Sequence, residues 1–217
     1  NKSDTLKFPS EGSTEFDGTE YVQIPDSDNL SFDNYTVSFW AKFYSVSGGI
    51  YGFINKYDEG TSSKREWRVI FEGGVTKFVQ YNSASQAQKL VANTTSESAN
   101  VWNHYAFTHD GSTMTAYRNG IAEGTTTTGG AHSTLNKSDR DVLISAYFNS
   151  GSITNAQDFH GQLANLAIWS RCLEPEEIQS IQNKSYSQLK GVEKTSLVSW
   201  WGLDSASNGV VQPATGE

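Results

Sequence analysis

Cysteine is almost missing from this chain: Cys172 is the one thiol in 217 residues. That excludes an internal disulfide and any zinc site built from cysteines. Positive charge is also scarce, with 16 Lys+Arg against 24 Asp+Glu and a net charge of −8. Nucleic acids and anionic membrane surfaces are held chiefly through basic patches, so neither is an expected partner. No apolar run approaches the roughly 20 residues of a membrane-spanning helix, so no membrane insertion is expected. The chain opens at Asn1 with neither a basic stretch nor an apolar leader behind it. It is therefore expected to be a piece of something longer.

What remains is a globular composition. Aromatic residues make up 12% of the chain, too many for a disordered segment. At this length one core can bury roughly 70% of the surface that the unfolded chain exposes, so no staple is required. Strand signals dominate. Tyr35-Thr36-Val37-Ser38-Phe39-Trp40-Ala41 alternates with period two, placing Tyr35, Val37, Phe39 and Ala41 on one face. Comparable runs span 67–71, 77–81, 102–108, 114–118, 142–146 and 163–169, rich in the β-branched and aromatic residues that suit a pleated surface. Turn clusters separate them: Ser47-Gly48-Gly49, Gly73-Gly74, Asp110-Gly111 and Gly129-Gly130. Arg118-Asn119-Gly120-Ile121 is the sharpest hairpin signal, because a type I′ turn needs two residues at positive φ. One short helix is expected from Leu173 to Ile181, with Pro175 at its start, acids in its first turn and Ile178 and Ile181 on one face. The expected fold is all-β, an antiparallel two-sheet jelly-roll sandwich with one short helix.

Three segments carry a resemblance. The first is Phe16-Asp17-Gly18-Thr19-Glu20-Tyr21-Val22-Gln23-Ile24-Pro25. The second runs from Trp102-Asn103-His104-Tyr105-Ala106-Phe107-Thr108 through Asp110-Gly111-Ser112 to Ala116-Tyr117-Arg118-Asn119-Gly120. The third is Gly161-Gln162-Leu163-Ala164-Asn165-Leu166-Ala167-Ile168-Trp169-Ser170-Arg171, followed by Leu173 and Glu176-Glu177-Ile178. Their order and spacing resemble the laminin-G-like, concanavalin A-like lectin/glucanase domains, including the pentraxin-like jelly rolls, over about residues 16–182. The resemblance implies a scaffold for sugar binding, adhesion or protein contact. The segment Leu197-Val198-Ser199-Trp200-Trp201-Gly202-Leu203-Asp204 is similar to the one that usually opens such a domain. Residues 1–189 are accordingly expected to form the jelly roll. Residues 190–217 form a tail strand that either closes the same domain or opens a truncated repeat. Similar tails occur in tandem laminin-G-like domains of phage structural proteins, which implies a virion, cell-surface or secreted location.

Candidate chemistry follows from the residues and from the resemblance together. Glu15-Phe16-Asp17-Gly18-Thr19-Glu20 formally matches the Glu-x-Asp-x-x-Glu row of glucanases of this superfamily. A retaining pair needs two carboxyls about 5–5.5 Å apart on a rigid strand, and Gly18-Thr19 reads instead as a turn. No enzyme activity is expected. The resemblance also implies a structural Ca²⁺ held by Asp17, with Asn165 as a neutral oxygen donor. The alternative for Asp17 is a carboxylate that merely accepts backbone N–H bonds in its own turn. His104 reads as a packed strand residue, while His109, His132 and His160 lie in separate segments and form no catalytic set. Cys172 is expected to be buried and inert.

Sugar binding calls for aromatic platforms and planar polar groups. The pool of candidates is Tyr51, Lys56, Tyr57, Arg65, Trp67, Arg68, Tyr81, Tyr147, Phe148 and Asn149. Trp67 alternates with Val69 and Phe71 and reads as core, which turns Arg68 to the opposite face. Tyr57, Arg68, Tyr81, Tyr147, Phe148 and Asn149 are the expected ligand contacts. Trp40, Trp102, Trp169 and Trp200 are expected to pack the core. The function expected is a non-catalytic carbohydrate-binding or adhesion domain, with a glycan or surface polysaccharide as partner. The alternative is an assembly domain that contacts neighbouring protein subunits.

Overall fold

A computed structural model describes residues 12–47, 50–82, 88–128, 135–154 and 159–203. The turn glycines Gly48, Gly49, Gly129 and Gly130, together with His132, lie outside the described residues. Two antiparallel sheets face each other. The first is built from β1 (Thr14–Asp17), β14 (His160–Trp169), β3 (Tyr35–Phe43), β8 (Trp102–His109), β9 (Thr113–Arg118) and β10 (Ile121–Thr127), in that spatial order. The second has β2 (Val22–Ile24), β11 (Val142–Ile144), β4 (Tyr51–Lys56), β5 (Trp67–Glu72), β6 (Val75–Tyr81) and β7 (Gln88–Ala92). A small hairpin, β12 (Tyr147–Asn149) with β13 (Ser152–Thr154), stands apart from both.

Alternation decides what lies between the sheets. Val37, Phe39, Ala41 and Phe43 of β3 point inward beside Tyr105 and Phe107 of β8, and meet Phe53, Trp67, Val69, Phe71 and Phe78 of the second sheet. Phe39, Phe43, Phe53 and Phe159 contact one another with ring centroids 5.3–5.6 Å apart in tilted or edge-on pairs. Each such ring contributes roughly 1.5–3 kcal/mol by leaving water. At the β9–β10 hairpin Asn119 and Gly120 take φ of 51° and 77°, the paired left-handed residues that a type I′ turn demands.

The outer face of the first sheet is covered too, which the alternation alone did not reveal. The chain leaving β14 returns across it through α1 (Pro175–Ile181) and α2 (Gly191–Lys194). Ile178, Ile181 and Leu189 pack there on Ala106, Tyr117, Ala167, Trp169 and Trp200. The polar residues that β3 turns outward each find a partner. Thr36 Oγ1 donates to the Arg171 carbonyl and accepts from Leu173 N, and Trp40 Nε1 donates to the Gln182 carbonyl. Trp40, Trp169 and Trp200 are therefore buried, but outside the inter-sheet core and beneath the helical segment, while Trp102 is only half-buried.

The tail strand β15 (Leu197–Trp201) pairs with the second half of β14, while β1 occupies the first half of the same edge. Trp201 enters the inter-sheet core, and Thr14 Oγ1 donates to the Leu203 carbonyl, tying the two edge segments together.

Candidate binding site

Asp58 organises one end of the second sheet. It follows β4, is fully buried, and has five donors on its carboxylate. Thr61 N (3.1 Å) and Ser150 N (2.8 Å) reach Oδ1, while Gly151 N (3.0 Å) and both Nε (3.0 Å) and Nη2 (2.9 Å) of Arg140 reach Oδ2. Burial by itself would raise its pKa. The Arg140 and backbone hydrogen bonds outweigh that and hold the carboxyl below its usual value. The tip of the β12–β13 hairpin is thus pinned onto the loop after β4. The approach is close: a Cβ on Gly60 would lie 2.0 Å from Ser150 Oγ and 2.7 Å from Ser150 N.

This pinning lays Tyr147 against the outer face of the second sheet, where it joins Tyr57, Ile70, Val79 and Tyr81. Tyr57 lies 5.4 Å from Tyr81 and 6.5 Å from Tyr147, centroid to centroid. Two guanidinium groups contact the Tyr57 ring, Arg68 at 4.4 Å and Arg65 at 5.6 Å, and Arg140 lies 5.2 Å from the Phe148 ring. Burial pushes the Tyr81 hydroxyl up to about 12, and raises Tyr147 with help from a hydrogen bond to Glu59. Tyr57, Arg68, Tyr81, Tyr147, Phe148 and Asn149, read from the sequence as ligand contacts, thus converge on one end of the second sheet. Their roles differ from the expectation. Tyr57, Tyr81 and Tyr147 are only 3–5% exposed and Phe148 8%, so these rings are a buried foundation with no free face for a pyranose. Asn149 is exposed and Arg65 and Arg68 are partly so.

Lys56 and Trp67, from the wider pool, face elsewhere. Trp67 is core. The Lys56 ammonium is fully buried and bonded to Asp26 Oδ1 (2.6 Å), Glu66 Oε2 (3.1 Å), Ser31 Oγ (3.2 Å) and the Ser138 carbonyl (2.9 Å). Burial raises the Glu66 carboxyl despite Lys56 beside it. A surface hollow of about 380 Å³ lies next to this pair, lined by Asp26, Asp28, Ser31, Lys137, Ser138 and Asp139. Neither Asp58 nor the Lys56–Glu66 pair was found from the sequence, because a carboxylate in a turn and a lysine ending a strand both read as solvated.

The carboxylate row does not form a cleft. Glu15 and Asp17 are exposed on the edge strand β1, and Glu20 bonds back to Asp17 N. Asp17 Oδ1 accepts from Thr19 N (2.9 Å) and Thr19 Oγ1 (2.7 Å), and these bonds lower its pKa, opposite to what a catalytic acid needs. The donor set for calcium does not fit either. Asp17 pairs with His160, five positions before Asn165 on β14, so the two are on the order of 16 Å apart. Asn165 is buried at a bulge with φ of 48°. Among the described residues no three His, Cys, Asp or Glu side chains gather in metal-binding geometry. His104 and His109 are buried apart from one another, and His160 is exposed on β14. Cys172 is half-exposed rather than buried, and burial of its sulfur still raises its pKa.

The family model described as the concanavalin A-like lectin/glucanases superfamily, laminin-G type, matches residues 16–179. The chain belongs to this superfamily. Solved structures share its fold at low identity. A heptameric SAP-like pentraxin from Limulus polyphemus is 15% identical with a TM-score of 0.60, covering 82% of this chain and 83% of that one. A protein of Bacteroides ovatus ATCC 8483, provisionally described as carbohydrate-binding, is 14% identical with a TM-score of 0.68, covering 93% of this chain and 55% of its own. The receptor-binding domain of botulinum neurotoxin mosaic serotype C/D is 19% identical with a TM-score of 0.61, covering 77% of this chain and 41% of its own. The chain thus spans about half the length, or less, of the last two. No curated protein matches the chain. No helix among the described residues is long and apolar enough to cross a membrane.

Proposed function

We propose that this superfamily member is a non-catalytic carbohydrate-binding domain of a secreted or surface-exposed protein. Its recognition surface is the end of the second sheet built from the loop after β4, Arg68 and the β12–β13 hairpin. The carrying observation is convergence. Side chains from β5, β6, the loop after β4 and the hairpin meet at one end of the second sheet, as buried rings beneath the partly exposed Arg65 and Arg68, and buried Asp58 holds the loop and hairpin in place before any ligand arrives. Pre-organisation of this kind lets a shallow site bind without first ordering its loops. The carboxylates that would make a glucanase are instead spread along an exposed edge. A glycan-array screen of the folded chain, with calcium and again with EDTA, tests the reading. Binding to one glycan class is expected, unchanged by EDTA, since the surface is built from tyrosines and arginines rather than clustered carboxylates.

A second reading, an assembly domain, draws on a different observation. β10 ends the first sheet, and Ile121 at its start is 68% exposed. Silence on the array from a folded sample would favour this reading.

A further inference from the structure

Arginine usage in this chain is uneven. Of five arginines, three carry a carboxylate: Arg118 with Glu97 (3.4 Å), Arg140 with Asp58 (2.9 Å) and Arg171 with Glu177 (2.6 Å). The other two, Arg65 and Arg68, are the pair that contact Tyr57. Arg65 is steered by backbone carbonyls only, those of Asp58 and Glu59. The Arg68 guanidinium has no hydrogen bond and no ion pair among the described residues. Its Nε is shut off from water with no acceptor. In a protein with eight more acids than bases, two adjacent guanidinium groups left without an acid are an arrangement that chance pairing would have filled.

Physical chemistry makes that vacancy costly. A donor removed from water without an acceptor loses the hydration it had in the unfolded chain. The tyrosines beneath do not repay it with hydrogen bonds. They supply a flat ring that fixes the plane of the Arg68 guanidinium, leaving a fork oriented in advance of binding. A planar fork of this kind matches a carboxylate, which it can hold with two parallel hydrogen bonds. The rings themselves are too buried to stack on a neutral pyranose, so charge is what this surface has to offer a sugar.

We propose that Arg68, with Arg65 beside it, receives the carboxylate of an acidic sugar, so that the ligand class is a uronate-type glycan and not a neutral one. This rests on the carbohydrate-binding reading and specifies its ligand. Asn149, exposed at the tip of the hairpin that packs onto the loop after β4, offers an amide for hydroxyl recognition.

The test is calorimetric titration of the whole chain with a panel of uronate oligosaccharides. The same oligosaccharides with carboxyl groups reduced to alcohols serve as neutral controls, and a sulfated oligosaccharide completes the panel. At least one acidic member is expected to bind roughly tenfold or more tightly than its reduced partner, the scale of a charged hydrogen-bonded pair. Arg68→Gln should abolish that preference. Arg68→Lys should retain a salt-sensitive part of it, having kept the charge and lost the fork. Arg65→Gln should weaken it in a chain whose circular dichroism still shows the native fold, which keeps the test alive if Arg68 variants fold poorly. Equal binding of acid and reduced forms, an Arg68→Gln protein with its preference intact, or tighter binding of the sulfated ligand would each overturn the carboxylate assignment. A neutral glycan bound with full affinity by Arg68→Gln would overturn it too, while leaving the carbohydrate-binding reading in place. A chain that binds no glycan at all would bring down both.

Discussion

His104 shows how one residue's surroundings become a property of the whole protein. Its ring is buried on the outer face of the first sheet, with Nε2 2.8 Å from Ser38 Oγ and Nδ1 without a partner. Burial depresses its pKa to about 3, from an ordinary 6.5. The unfolded chain therefore binds a proton that the folded chain refuses. Stability from this residue is complete above pH 6.5 and is lost as pH falls from 6.5 toward 3. Between pH 7 and 4.5 the loss is about 2–3 kcal/mol by linkage. Urea unfolding at the two pH values is expected to show it, and His104→Gln should flatten the difference while lowering stability at pH 7. At this scale the sequence was a partial guide. Alternation with Trp102 and Ala106 marked His104 as packed, and Trp67 as core. It could not mark the burial of Asp58 or Lys56, which depends on partners more than 80 residues away: Arg140, which donates to Asp58, and the Ser138 carbonyl, which accepts from Lys56.

Elements were more legible than single residues where they were long. Six of the seven alternating runs lie in strands throughout, the seventh leaves β11 at Ser145 (φ of 63°), and Asn119-Gly120 formed the hairpin that its composition required. The three-residue strands β2, β12 and β13 left no periodic trace, since a run that short completes only one alternation. The destination of the tryptophans was also hidden. Period two separates the faces of a strand without saying which face meets the other sheet, and here α1 and α2 cover the outer one. The tail strand is a case where sequence left two outcomes open. Trp201 is 1% exposed in the inter-sheet core, and Trp200 packs edge-on to Trp169 at 6.2 Å. Trp201→Ala is expected to cost about 3–5 kcal/mol through the cavity it leaves. Calorimetry should register that as a melting point lowered by roughly 6–20 °C. An unchanged melting point would mean that β15 is dispensable to the fold.

For the molecule as a whole, the sandwich supplies rigidity and the loops supply chemistry, the usual division of labour in such folds. The fold was readable because three motif segments stand in order along the chain: the first spans β1 and β2, the second β8 and β9 with the turn after it, and the third β14 and the start of α1. The candidate site was readable only as a list of residue types. Its physical character, buried tyrosines under unpaired arginines, came from the hairpin folding back onto the loop after β4. Recognition is proposed to happen on this surface. Amide hydrogen exchange, with and without the best ligand from the glycan screen, tests it most directly. Added protection is expected in residues 57–68 and 147–154. Protection confined to the turn after Asp17, or to the hollow between Asp26 and Asp139, with no change in the hairpin, would contradict it.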